Sequence, residues 1–172
     1  MGGSEASILV FIGIILVVLW LKRPSRHEGY ETKPATDATF RSFERRPSLF
    51  VNKSEFAFFH VLQRYMPDGH YLMSKVRLED IIGVKRAIKN PDIRWKLRNR
   101  VKSRHVDFLV IDKSGQAVLA IELDGPSHDT NETNNADHLK DGLFKACGIP
   151  LERVRTGESF AAFAQKVLTK LT

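Results

Sequence analysis

Two eight-residue runs, His105–Asp112 and Ala117–Asp124, constrain this chain more than anything else in its sequence. Both are dense in Val, Ile, Leu and Phe, and only Lys113-Ser114-Gly115-Gln116 separates them. Strand-forming runs on either side of a short Gly-containing break predict an antiparallel hairpin. A lone hairpin is marginal in water, so its apolar side has to be covered by further elements.

The neighbouring segments supply them. Asn52 or Ser54 is placed to cap a helix with Phe56, Phe59, Leu62 and Tyr65 on one face, closed by Pro67-Asp68-Gly69. A strand from about His70 to Val76 follows. Asn90-Pro91 reads as the N-cap and first residue of a second helix. Ile93, Leu97 and Val101 share one of its faces, and Arg94, Arg98 and Lys102 another. Beyond the hairpin, residues 133–147 predict a helix stopped at Gly148 and Pro150, then a strand at Leu151–Val154 and an amphipathic helix at Ser159–Leu171. The order α-β-(α)-β-β-α-β-α is that of an α/β domain over residues 48–172.

Composition narrows the class further. With 172 residues, 42% of them apolar, the chain fills one modest core plus an appendage. Eleven Phe and two Trp exclude a disordered chain. A single cysteine, Cys147, excludes a disulfide framework and a multi-Cys zinc site. The 27 Lys and Arg against 20 Asp and Glu leave a net charge of +7, which suits an anionic partner, either nucleic acid or a lipid surface.

The appendage is the N-terminus. Ala6–Leu21 carries no charge, and Lys22, Arg23 and Arg26 follow it. A cleaved signal peptide has its positive charge before the apolar run and small residues after it, whereas here the charges follow and Lys22-Arg23-Pro24 stands where the small residues belong. A buried core helix is the other alternative. The favoured reading of residues 1–21 is a single transmembrane anchor in the inner membrane, with the domain on the cytoplasmic side by the positive-inside rule. Residues 22–47, with Pro24, Pro34 and Pro47 among polar residues, read as a basic linker able to lie on anionic lipid.

The acids inside the hairpin carry the chemistry. If Ser114-Gly115 is a two-residue loop, Asp107 stands opposite Glu122 and His105 opposite Asp124, all on one face. A three-residue loop with a bulge would break that register. Directly opposed like charges destabilise a sheet unless compensated. A divalent cation compensates them, and hard carboxylate oxygens suit Mg²⁺. The competing reading is that these are strand-end acids in water or paired with Arg.

Val106-Asp107-Phe108 followed by Ile121-Glu122-Leu123-Asp124-Gly125-Pro126-Ser127-His128 resembles the PD-(D/E)xK nuclease superfamily. Within it, the chain resembles the domain-of-unknown-function family numbered 2726, related to very short patch repair endonucleases. The resemblance also takes in Ser54-Glu55, Lys140-Asp141 and Gly148 to Arg153. It implies a restriction-endonuclease-like α-β-β-β-α-β core and metal-dependent phosphodiester hydrolysis with Mg²⁺ or Mn²⁺. Asp107 and Glu122 would be the metal ligands and Glu55 an auxiliary acid. The superfamily's usual Lys two positions after the Glu is replaced by Asp124. Lys140 is the candidate substitute, and His128 the alternative as general base or ligand. Structural zinc is not expected.

Lys85–Arg104 holds nine Lys or Arg and one acid, Asp92. Arg94, Arg98, Lys102 and Arg104 are its candidate phosphate contacts, unless the run is a solvated helix face. The leading expectation is therefore a membrane-anchored nuclease acting on nucleic acid, with DNA favoured. The alternative is a catalytically silent nucleic-acid-binding or protein-interaction module on the same fold. The sequence leaves the oligomeric state open.

Overall fold

A computed structural model describes residues 36–125 and 131–171. The chain divides into two compact units at Pro47/Ser48. The described part of the first carries one short helix, α1 (Asp37–Phe40), capped by Thr36. The anchor expected at residues 1–21 and most of the linker lie outside the described residues. Among the described residues, no helix is long and apolar enough to cross a membrane.

The second unit is a mixed α/β domain. It runs α2 (Lys53–Arg64), β1 (His70–Arg77), α3 (Leu78–Ile81), α4 (Pro91–Val101), β2 (His105–Asp112), β3 (Ala117–Asp124), α5 (Asn131–Cys147), β4 (Leu151–Arg155) and α6 (Phe160–Leu168). A 3-10 turn at Thr169–Leu171 closes it. The strands form one sheet in the order β1-β2-β3-β4, antiparallel except for the parallel β3–β4 pair. A parallel pair needs a crossover, and α5 supplies it. Gly148 ends that helix at φ 70°, with the Ile149 N–H donating to the Phe144 carbonyl, a Schellman closure.

Helices cover both faces of the sheet. Phe58 and Leu62 of α2 and Ala164, Val167 and Leu168 of α6 pack on Phe108, Val110, Leu119, Ile121 and Val154. On the other face, Leu78, Ile82, Val101 and Phe144 pack on Val106, Leu109 and Ala120. Two helices bury only part of the face that the periodicity predicts. In α2 the buried residues are Glu55, Phe58 and Leu62, while Phe56 is 48% and Tyr65 39% exposed. In α4, Val101 is buried and Leu97 half-buried, but Ile93 is 49% exposed, because this helix meets the domain mainly through its C-terminal end.

The hairpin differs in a way that preserves its register. The Asp112 N–H donates to Gln116 O, which leaves Lys113, Ser114 and Gly115 as a three-residue tip with Gly115 at φ 82°. Ile111 faces Ala117, whereas Val110 faces Leu119, so Val118 is one extra residue on β3. This bulge absorbs the offset of the longer tip. Below it, Phe108 faces Ile121, the last pair of this ladder, and beyond it the Asp107 and Glu122 side chains come within hydrogen-bonding reach of each other. The expected register holds from Val110–Leu119 to Phe108–Ile121, by a bulge rather than by a two-residue loop, and the ladder stops before the levels of Asp107 and His105.

Candidate functional site

Strict alternation fails at one level of the sheet. In β1, Leu72 packs in the first cluster and Val76 in the second; in β2, Phe108 and Val110 belong to the first and Val106 to the second. Residues an even number apart share a face in a regular strand. Both strands therefore change face between these positions, and Lys75 and Asp107 stand at the change, flanked by the pairs Ser74–Phe108 and Val76–Val106. Lys75 has φ 56°, a left-handed conformation costing a non-glycine residue about 1–2 kcal/mol. Something at this point repays the strain.

The surroundings of Lys75 show what does. Its ammonium pairs with Glu55 and lies 3.1 Å from Asp107 Oδ1. Glu55 is 4% exposed and doubly fixed. Its N–H donates to the N-cap Asn52 side chain, and its other carboxylate oxygen accepts the Val51 N–H at 2.8 Å. Burial alone would lower the Lys75 pKa, but Glu55 and Asp107 together hold it above the ordinary lysine value.

Asp107 and Glu122 behave as a pair. Burial pushes the Asp107 pKa up, yet the Leu123 N–H at 3.1 Å and the Lys75 charge outweigh it and hold the group below its usual range. Glu122 is 6% exposed, and its pKa is raised to about 7, chiefly by burial and further by the Asp107 charge, although Lys140 opposes both. Two carboxylates at one site cannot ionise independently, and of this pair Glu122, within hydrogen-bonding reach of Asp107, is the one whose acid form is favoured. The Lys140 ammonium donates to Glu122 Oε1 at 2.6 Å from α5, across to β3. The repulsion expected across the hairpin is thus answered by two lysines, one on each carboxylate, and by the raised pKa of Glu122.

The remaining site residues fall into separate groups. His105 Nε2 lies 3.9 Å from Asp107 Oδ1, and burial and then the Lys75 charge lower its pKa. Asp124 turns to Arg153, which also holds Asp137 at 3.1 Å and Asp141 at 2.9 Å, clamping α5 onto β4. Burial lowers the Arg153 pKa less than these three aspartates raise it. His128 lies outside the described residues. Among the basic candidates, Arg94 donates to the Lys85 and Ile88 carbonyls, both at 3.2 Å, and Arg104 to the Arg100 carbonyl at 2.6 Å. Those two tie down backbone, whereas Arg98 and Lys102 are exposed on α4 and just past its end.

A pocket of about 180 Å³ opens beside the carboxylates, lined by Asn52, Glu55, Lys75, Asp107, Gly125 and Thr156 among others. Among the described residues, no three of His, Cys, Asp and Glu cluster as a ready metal cage. Sequence reasoning brought Asp107, Glu122, Glu55 and Lys140 to one place and missed Lys75. Simple alternation sets Lys75 on the face opposite Leu72, Ser74 and Val76, so the sequence of β1 alone carries no signal for it.

Fold and site together define a mixed α/β domain with a buried carboxylate–lysine centre at one level of its sheet. The chain belongs to the family described as "Protein of unknown function (DUF2726)", whose profile matches residues 48–169. It is similar to an uncharacterized protein of Haemophilus influenzae, 27% identical over 113 residues. That alignment covers 66% of this chain and 56% of the relative, so the chain spans little more than half of that protein. No solved structure matches it.

Proposed function

We propose that the domain hydrolyses nucleic-acid phosphodiester bonds, DNA foremost, with Mg²⁺ or Mn²⁺ held by Asp107 and Glu122. In this reading it is a restriction-endonuclease-like member of the PD-(D/E)xK superfamily. The observation that carries the reading is the meeting of Asp107 and Glu122, each with its own lysine, beside an open pocket. The donor set fits a hard dication: two carboxylates crowded enough to share a proton, which such an ion displaces on binding. When bound, the ion would supply Lewis-acid stabilisation of developing charge and lower the pKa of a water.

The chain's own groups have definable parts in that chemistry. Lys140 orients the Glu122 carboxyl, and Glu55 fixes Lys75. In hydrolysis the water oxygen bonds to phosphorus, the bond to the leaving oxygen breaks, and that oxygen takes up a proton. Three carboxyls, Glu55, Asp107 and Glu122, face two ammonium groups, Lys75 and Lys140, at this centre. A bound dication would bring that centre to a net positive charge, which suits an anionic phosphodiester. The net charge of +7 favours the same substrate class.

The test is cleavage of a panel of single- and double-stranded DNA and RNA by the full chain, with and without Mg²⁺ or Mn²⁺. Metal-dependent cleavage that falls at least ~100-fold in Asp107→Asn is expected. A second reading has one observation in its favour: Asp124, where the superfamily's lysine belongs, is bound to Arg153. Metal-induced thermal stabilisation and nucleic-acid binding without any cleavage would favour a catalytically silent binding module instead.

A further inference from the structure

We propose that Lys75 is the group that receives the substrate's phosphate, and that Glu55 and Asp107 hold it in reserve until a dication displaces it. This rests on the phosphodiester reading of the same site. Three observations converge on Lys75 rather than Lys140. First, the pocket wall carries Lys75, Asp107 and Glu55, whereas Glu122 and Lys140 are absent from that wall. Lys75 is the cationic side chain among the described residues lining the pocket, so an anion entering there meets it first. Second, Lys75 sits at φ 56°, where glycine would be relaxed, and the strain is offset by what its side chain contacts, Glu55 and Asp107.

Third, its two partners are unequal. Glu55 is anchored by the Val51 N–H and by its place in the first turn of α2, and it keeps its hold whatever happens at the sheet. Asp107 is the carboxylate that a dication would take. An ammonium 3.1 Å from Asp107 competes with that ion for the same oxygen and is repelled once the ion arrives. Lys75 then pivots on Glu55 into the pocket it lines. The site couples metal loading to the exposure of its phosphate-binding cation.

The experiment uses the full chain with Lys75→Met and Lys75→Gly, the glycine variant being free of backbone strain at φ 56°. Mn²⁺ affinity is measured by titration calorimetry, then inorganic phosphate binding to the Mn²⁺-loaded protein, then cleavage. Both variants should bind Mn²⁺ about tenfold more tightly than wild type, because the competing charge is gone. Their phosphate affinity should fall about tenfold. Mn²⁺ binding that is unchanged or weaker in both variants overturns the reserve role, and unchanged phosphate binding overturns the receiving role. If wild type binds Mn²⁺ and phosphate as described and cuts nothing, the nuclease reading fails while the assignment of Lys75 stands.

Discussion

Glu122 is the residue at which the electrostatics of this domain become measurable. Its carboxyl holds a proton to about pH 7 in the folded chain, against 4.5 for an unperturbed glutamate. Between those values the native state binds more protons than the unfolded state, so its stability falls as pH rises. That gap corresponds to roughly 3 kcal/mol, complete below the lower value and lost through the upper one. Asp107 has the opposite sign, since its lowered pKa adds stability that disappears only in stronger acid. Urea denaturation across pH 4–8 should show the decline in wild type and a flattened profile in Glu122→Gln. Parallel profiles would place the proton elsewhere. Glu122 and Asp107 were legible in the sequence because an acid inside an apolar strand is conspicuous. Lys75 was not, because its importance comes from a change of face in two paired strands, and neither strand announces that change alone.

Among the elements, the strands of the hairpin were legible to the residue, since their apolar runs are bounded by charge and turn chemistry on both sides. Helix α2 was legible in position and cap but only partly in phase. Its aromatic residues offer two competing stripes, and the buried Glu55, fixed by Lys75, selects the one with Phe58 and Leu62. Helix α4 makes a sharper case. Arg94, which sequence placed with the phosphate contacts, donates to two carbonyls of the preceding loop. Replacing it with Ala should cost about 1 kcal/mol of stability. Arg98→Ala with Lys102→Ala should leave stability within ~0.5 kcal/mol, as surface changes do. The same pair should lower the salt dependence of nucleic-acid binding by up to ~2 phosphate equivalents. An unchanged salt slope would return α4 to being a solvated surface helix.

For the whole molecule, the division at Pro47/Ser48 separates a domain with its own two-sided core from a segment whose sequence is dominated by Ala6–Leu21. The proposed anchor predicts that the full chain sediments with membranes and resists alkaline extraction, and that a variant with three lysines within Ile8–Leu19 is released. Extraction of the unaltered chain at high pH would contradict it. The domain itself brings a practical opportunity at the end of the hairpin. Since the extra residue at Val118 takes up the mismatch of the Lys113–Gly115 tip, the outer end of the ribbon is mechanically insulated from the acids below. A short epitope or fluorescent peptide grafted between Ser114 and Gly115 should therefore report on this protein in cells while leaving the carboxylate–lysine centre as it is.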